Sequence, residues 1–235
     1  MIGDNRNLDT VTGAVVIGNA TTATPVKAAN YSVTIGSNSL ATVQSGVAIG
    51  NTAASSGSNA IAMGTNSKAA TLNTVAIGNT ATATSMGGVA IGNTSTTSSA
   101  NATAVGTNTM AKGASSVAIG NNATATTTGG VAIGSGSVAD TWYGLKGYAP
   151  STKTLTTNTS AAWVSTASAV SVGDADEGIT RQITGVAAGW KDTDAVNVAQ
   201  LKAITAASST KVDTKGPNLS VDTTRLPITG DPSTS

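Results

Sequence analysis

Cysteine, histidine and phenylalanine are all absent from these 235 residues. Without cysteine there is no disulfide framework and no thiol chemistry. Without histidine the commonest general base and metal ligand is missing. Charge is scarce too: 10% of residues are charged, against about one quarter in a typical globular domain. The net charge of +1 gives no electrostatic footprint for nucleic acid or for an anionic membrane. Aromatics make up 3%, too few to fill a broad core, so Thr, Ser, Asn, Ala and Gly must build most of the molecule. Such a composition suits thin, stacked β-structure, in which each layer needs little filling. No run is long and apolar enough to span a membrane as a helix. The opening Met1-Ile2-Gly3-Asp4 lacks the charged and apolar regions of a signal peptide, so if the protein is exported an internal segment of it is expected here.

Charge is also unevenly placed. Residues 1–140 carry only Arg6, Lys27, Lys68 and Lys112 against Asp4, Asp9 and Asp140, while residues 141–235 hold all the other charges. A change of structural type is expected near residue 140.

What the chain does have is a repeat. A short apolar run ending in Gly recurs as AVVIG (14–18), SVTIG (32–36), GVAIG (46–50), AIAMG (60–64) and TVAIG (74–78). It continues as GVAIG (88–92), ATAVG (102–106), SVAIG (116–120) and GVAIG (130–134). The closing glycines Gly36, Gly50, Gly64, Gly78, Gly92, Gly106, Gly120 and Gly134 are equally spaced, and only the step from Gly18 to Gly36 is longer, by four. Three residues before each closing glycine stands Val15, Val33, Val47, Ile61, Val75, Val89, Val117 or Val131, with Thr103 the exception; one residue before it stands Ile, Met or Val. Spacing of two is strand periodicity, which β-branched residues favour. Each run therefore reads as a short strand with these two residues facing inward. Five residues after the glycine a small residue recurs (Ala23, Ala41, Ala69, Ala83, Ala111, Ala125, Ala139, with Ser55 and Thr97 as variants). It marks a second short strand facing the same interior.

Two strands and two turns in each period make one coil of a parallel β-solenoid, with the Gly and the residue after it (Asn19, Asn51, Asn79, Asn93, Asn121) suited to an unusual turn. Two β-branched side chains per coil are little return for ordering the whole coil, so a lone slender roll is marginal. A homotrimer or similar closed oligomer is expected. On the inward reading, replacing Ile77 and Ile91 with Asp unfolds the head and abolishes its function together.

After Asp140 the register breaks. Residues 141–169 hold Trp142, Tyr143, Tyr148 and Trp163, four of the six aromatics, expected to pack this insertion onto the end of the roll rather than to form a ligand platform. The repeat resumes once as AVSVG (169–173). Further on, Asp192-Thr193-Asp194 reads as a helix start, followed by helical composition from Ala195 to about Ala207. Val198 and Leu201, with Ile204 or Thr205, have the three–four spacing of a coiled-coil seam. Residues 211–235 contain three of the five prolines and no clear periodicity, and are left as an extended or disordered tail.

These residues carry a resemblance. The 14-residue GVAIG-type repeat resembles the YadA-like head of trimeric autotransporter adhesins, and RQITGVAAG with DTDAVNVAQLK (181–189 and 192–202) resembles the neck joining such heads to a coiled-coil stalk. The resemblance implies a mainly β fold: a left-handed parallel β-roll of 14-residue coils, homotrimeric, followed by a neck and a short coiled-coil helix. The expected divisions are 1–140 head, 141–173 insertion and last head repeat, 174–194 neck, 195–210 start of the stalk and 211–235 unassigned. It further implies display on the bacterial cell surface through an outer-membrane β-barrel anchor not contained in these residues. The implied partners are two copies of the same chain and a host extracellular-matrix or cell-surface ligand, with no nucleic acid and no membrane insertion of this segment. The implied function is attachment to host matrix, host cells or other bacteria.

Other sites weigh less. Asp174, Asp176 and Glu177 form an acidic run without the full 12-residue calcium-loop pattern, read as a solvated loop. The sequons at Asn93 and Asn101 follow from composition. Gly87-Gly88 and Gly129-Gly130 lack the lysine of a phosphate loop. No residue is assigned to catalysis, a cofactor or a metal, enzymatic activity is not expected, and the ligand-contacting positions are unknown. Two other functions compete: an ice-binding solenoid, suggested by the pairs Thr22/Thr24, Thr82/Thr84 and Thr124/Thr126, and a passive fibre spacer.

Overall fold

The structure, a computed structural model, describes residues 6–7, 11–19 and 26–209. The chain divides into two compact units, Met1–Gln182 and Ile183–Ser235.

The first unit is a parallel solenoid. One ten-stranded sheet is built from the apolar runs, among them Val47–Ile49, Val75–Ile77, Val89–Ile91 and Val131–Ile133. The other is built from two-residue strands such as Leu40–Ala41, Lys68–Ala69, Thr82–Ala83 and Val138–Ala139. Register follows the repeat: Val75, Ala76 and Ile77 pair with Val89, Ala90 and Ile91, one full period on. At the longer first step Val15 pairs with Val33, so the four extra residues are absorbed in the coil and not in the ladder.

The facing of the apolar strands is the reverse of the expectation. The middle residue of each run is the buried one: Ala48, Ala62, Ala76, Ala90, Ala104, Ala118 and Ala132 are all 0% exposed. The flanking Val and Ile point outward and remain half-exposed, with Val15 at 49% and Ile133 at 45%. The small residues five after each glycine do face inward as expected, from Ala41 to Ala139; Ala23 lies outside the described residues. Two further buried columns complete the interior, one of Ser39, Ala53, Ser67, Ala81, Ser95, Thr109, Ala123 and Ser137, the other including Ser32, Ala60, Thr74, Ala102 and Ser116. The reason is thickness. So short a coil folds its two strands so close together that side chains of one or two carbons already close the gap. Buried hydroxyls are tolerated because most bond locally: Ser39, Ser67 and Ser95 donate to the carbonyls of Gly36, Gly64 and Gly92 at 2.9–3.0 Å. Where the interior residue is larger, a glycine makes room, as Gly46 does for Ser55 and Gly88 for Thr97.

The turns reveal a second period. Residues with positive φ recur every seven positions: Tyr31, Asn38, Ser45, Thr52, Asn59, Asn66, Asn73, Thr80, Gly87, Thr94, Asn101, Asn108, Ser115, Asn122, Gly129 and Gly136. Each coil is therefore two similar half-coils, each with a left-handed residue at the third position of its turn. Asparagine, the non-glycine residue most at ease there, holds seven of the sixteen places. The left-handed residue is the second after the closing glycine, not the first. The closing glycines are needed for two reasons. Their φ of 108–151° suits only glycine, and a Cβ there would strike the next coil, 2.6 Å from the Gly64 carbonyl oxygen in the case of Gly50.

After Val138–Ala139 the chain leaves the roll and returns at Val170–Ser171, which pairs with Val131 and Ala132. Between them a small antiparallel hairpin pairs Tyr148 with Leu155 and Ala149 with Thr154, and the Gly147 amide donates to the Trp163 carbonyl at 2.7 Å.

In the second unit the helix runs over Val198–Ser209. It begins three residues later than expected, because its cap is Asn197. The Gln200 amide donates to Asn197 Oδ1 at 3.0 Å and the Asn197 amide to Gln200 Oε1 at 3.2 Å, a reciprocal capping box. The expected start, at residues 192–194, is a separate turn in which Asp194 accepts the amides of Trp190 and Lys191, each at 3.0 Å.

Candidate interaction surfaces

Turning the Val and Ile outward gives the roll a continuous apolar face. Its two columns run Val33, Val47, Ile61, Val75, Val89 and onward beside Ile35, Ile49, Met63, Ile77, Ile91 and onward. Val170, 66% exposed, extends the first column past the insertion. Apart from Thr103, these columns stack partly exposed aliphatic side chains from coil to coil, and a contiguous apolar surface of this kind marks an interaction face.

The outer face of the second sheet is mixed and polar. Thr82 and Thr124 stand outward beside Lys68, Thr96, Met110 and Val138 in the same column. An ice-matching threonine plane is thus broken in coil after coil; Thr22 and Thr24 lie outside the described residues. Amide side chains form short ladders along the turns: Asn59 donates to Asn73, Asn93 to Asn79, and Asn108 to Asn122, the last at 2.7 Å.

The insertion does not bury its aromatics. Trp142, Tyr143 and Tyr148 are 54%, 59% and 61% exposed, so the expectation that they fasten the loop to the roll is not met. Trp142 and Tyr143 meet edge to face, ring centres 6.4 Å apart. A cavity of about 450 Å³ lies between Trp142, Leu145 and Trp163.

The acidic run forms a tight loop closed by reciprocal amide bonds between Asp174 and Ile179, at 2.8 and 2.7 Å. Among the described residues no group of three or more acidic side chains is placed to hold a metal ion. Gly87 and Gly129 have positive φ and occupy left-handed turn positions, which accounts for them structurally.

The second unit also displays apolar side chains. Ile183, Trp190 and Val196 are exposed, and Val198, Leu201 and Ile204, the expected seam, stand open on the helix. Gln200 does more than cap: its Nε2 donates to the Gly189 carbonyl at 3.0 Å and its Oε1 accepts the Gly189 amide at 3.1 Å. Asn197 Nδ2 reaches the Val186 carbonyl at 3.2 Å. These two residues fold 186–200 into one piece. The Asn-x-x-Gln spacing at 197–200 was the signal for them. The Lys191 amide, then that of Trp190, hold the Asp194 carboxyl below its ordinary range.

Comparison with known proteins follows the same division. The YadA head domain repeat matches residues 44–67, 55–81, 72–95, 83–109 and 111–137. The coiled stalk of trimeric autotransporter adhesins matches residues 182–223. Autotransporter adhesin BadA of Bartonella henselae is 57% identical over 68 residues, and trimeric autotransporter adhesin AtaA of Acinetobacter sp. (strain Tol 5) is 56% identical over 73. Each match covers 29% of this chain, and the matched stretch is 2% of the relative's length. The crystal structure of the collagen-binding domain of the Yersinia adhesin YadA is 32% identical, with a TM-score of 0.63, over 83% of this chain and 98% of that one.

Proposed function

Since the chain belongs to the YadA-like trimeric autotransporter adhesins, we propose that it is a head-and-neck segment of a bacterial surface adhesin, working as a homotrimer. Its role is binding, not catalysis: attachment of the cell to host matrix, host cells or other bacteria. The carrying observation is the outward Val/Ile face. A roll filled with alanine buries little apolar surface of its own, and covering two aliphatic columns with identical neighbours supplies what is missing. The exposed helix seam of Val198, Leu201 and Ile204 asks for the same partners. Three copies would then share one axis, leaving the polar second sheet, the amide ladders and the insertion as the outward surface for a ligand. We assign residues 1–140 to the head, 141–173 to the insertion and last repeat, 174–194 to the neck and 195–210 to the start of the stalk.

Collagen is the first ligand to try, because the structurally similar YadA domain is a collagen-binding one. The test has two arms. Sedimentation equilibrium should give three chains per particle. Adhesion of beads coated with the trimer to collagen, other matrix proteins and host cells should exceed that of beads carrying a variant with Lys68, Thr82, Thr96 and Met110 replaced by Glu. A folded monomer at micromolar concentration would overturn the assembly, and equal adhesion of both beads to every surface would overturn the binding face.

A further inference from the structure

A solenoid has to stop, and its last coil presents an open edge of backbone groups. In the body of this roll each such group has a fixed partner one coil on. The carbonyl just after every closing glycine accepts the amide of the left-handed residue of the next coil: Asn51 from Asn66, Thr65 from Thr80, Asn79 from Thr94, Asn93 from Asn108 and Asn121 from Gly136. The carbonyl just before the closing glycine accepts the next closing glycine's amide: Ile35 from Gly50, Ile77 from Gly92 and Ile119 from Gly134. Above each closing glycine lies the next one's carbonyl, 2.7 Å from the Cβ position of Gly106.

At Gly134 the pattern fails. After the insertion the chain passes through Gly173 without making the usual turn: the Gly173 amide bonds Ser171 Oγ, and the Gly173 carbonyl accepts the Val138 amide. The Ser135 carbonyl therefore lacks its next-coil amide. The Val172 carbonyl has no following coil at all. Ser137 shows the same disturbance: its hydroxyl donates to Ile133 at 2.7 Å, whereas Ser39, Ser67 and Ser95 at the same coil position donate to their closing glycine.

Arg181 fills all of these places. Its Nη2 donates to the Ser135 carbonyl at 2.5 Å, and its Nη1 donates to the Val172 carbonyl and to Ser137 Oγ, the latter at 3.1 Å. Its Cζ lies 3.0 Å from the Cβ position of Gly134, where the next closing glycine's carbonyl would otherwise sit. We infer that Arg181 is a surrogate coil: one guanidinium supplies the donors and the packing of the missing turn, ends the roll, and keeps its edge from pairing with another chain. Arginine suits this because its planar fork offers five donors in fixed directions and no acceptor, matching the two carbonyls and the hydroxyl that face it.

The test compares the wild-type segment with Arg181→Ala and Arg181→Lys by hydrogen exchange and light scattering. In Arg181→Ala, amide exchange should accelerate about tenfold or more over residues 131–139 and 170–181, with coils 44–109 unchanged, since charge-assisted bonds are lost at one end only. Millimolar guanidinium chloride should restore protection to that variant and not to wild type, while sodium chloride should not. Scattering should show concentration-dependent association of Arg181→Ala that guanidinium reverses. Arg181→Lys keeps the charge but cannot bridge the partners, and should show an intermediate loss. Unchanged exchange at 131–139 and 170–181 in Arg181→Ala would overturn the inference. Should that variant not fold, full wild-type protection in Arg181→Lys would overturn it equally.

Discussion

Ala76 and Ile77 are adjacent on one strand and face opposite ways, so a pair of substitutions separates the interior from the seam. Ala76 is 0% exposed, stacked between Ala62 and Ala90 and walled by Ala69 and Ala83. The stacked residues are about 4.8 Å apart along the ladder. Three added carbons in Ala76→Leu find no free volume there, and overpacking of this kind costs about 1–3 kcal/mol. At about 2–4 °C per kcal/mol for a domain of this size, the melting temperature should fall by roughly 2–12 °C at every protein concentration. Ile77 is only half-covered within its own chain, so Ile77→Ser should leave the coil folded and act on association. Taking ~1 kcal/mol of burial per chain as the part supplied by neighbours, three copies lose ~3 kcal/mol, weakening trimer formation ~100-fold. Circular dichroism melts and a sedimentation dilution series read the two effects separately. If Ala76→Leu melted like wild type while Ile77→Ser unfolded at all concentrations, Ile77 would be the interior residue and Ala76 the outward one. The same logic redirects the double Asp replacement of Ile77 and Ile91: its charges meet the neighbouring chains, and the first loss should be the trimer.

Other expectations follow from the turns and the neck. Gly78→Ala puts a Cβ against the Gly92 carbonyl carbon at 2.6 Å with φ at 135°, and should lower stability by about 1–3 kcal/mol in a denaturant titration. Thr94→Asn, at φ 53°, replaces a β-branched residue with one that tolerates the left-handed region, and calorimetry should show a gain of about 0.5–1 kcal/mol. Gln200→Ala removes half of the capping box and both bonds to Gly189, and should cost the helix about 0.5–2 kcal/mol, seen as faster exchange at 186–201. For Asp194 the folded carboxyl titrates below its ordinary value of 3.8. Its contribution is therefore present above that pH and is lost as pH falls through the depressed value. Protection of the Trp190 and Lys191 amides, taken as exchange relative to the intrinsic rate at each pH, should fall across that acidic window in wild type, and Asp194→Asn should flatten the dependence.

Much of this architecture was legible in one dimension. Nine glycine-terminated runs, eight of them in one constant register from Gly36 to Gly134, are enough to establish a stacked parallel solenoid, because a ladder in register needs equal path length per coil. Residues 181–202 resemble the family's neck motif as a string, but that string puts the helix start at Asp192–Asp194, and it takes the folded backbone to show that Asn197 and Gln200 form the cap. Alternation along Val75, Ala76 and Ile77 establishes that two faces differ, but a period of two carries no label for inside. The tertiary structure decided that, through the narrow distance between the two sheets of a coil, which admits Ala76 and excludes Ile77. Arg181 belongs to the same class. Its partners Ser135 and Ser137 lie 46 and 44 residues away, so only the closing of the last coil brings the guanidinium to the carbonyls it serves.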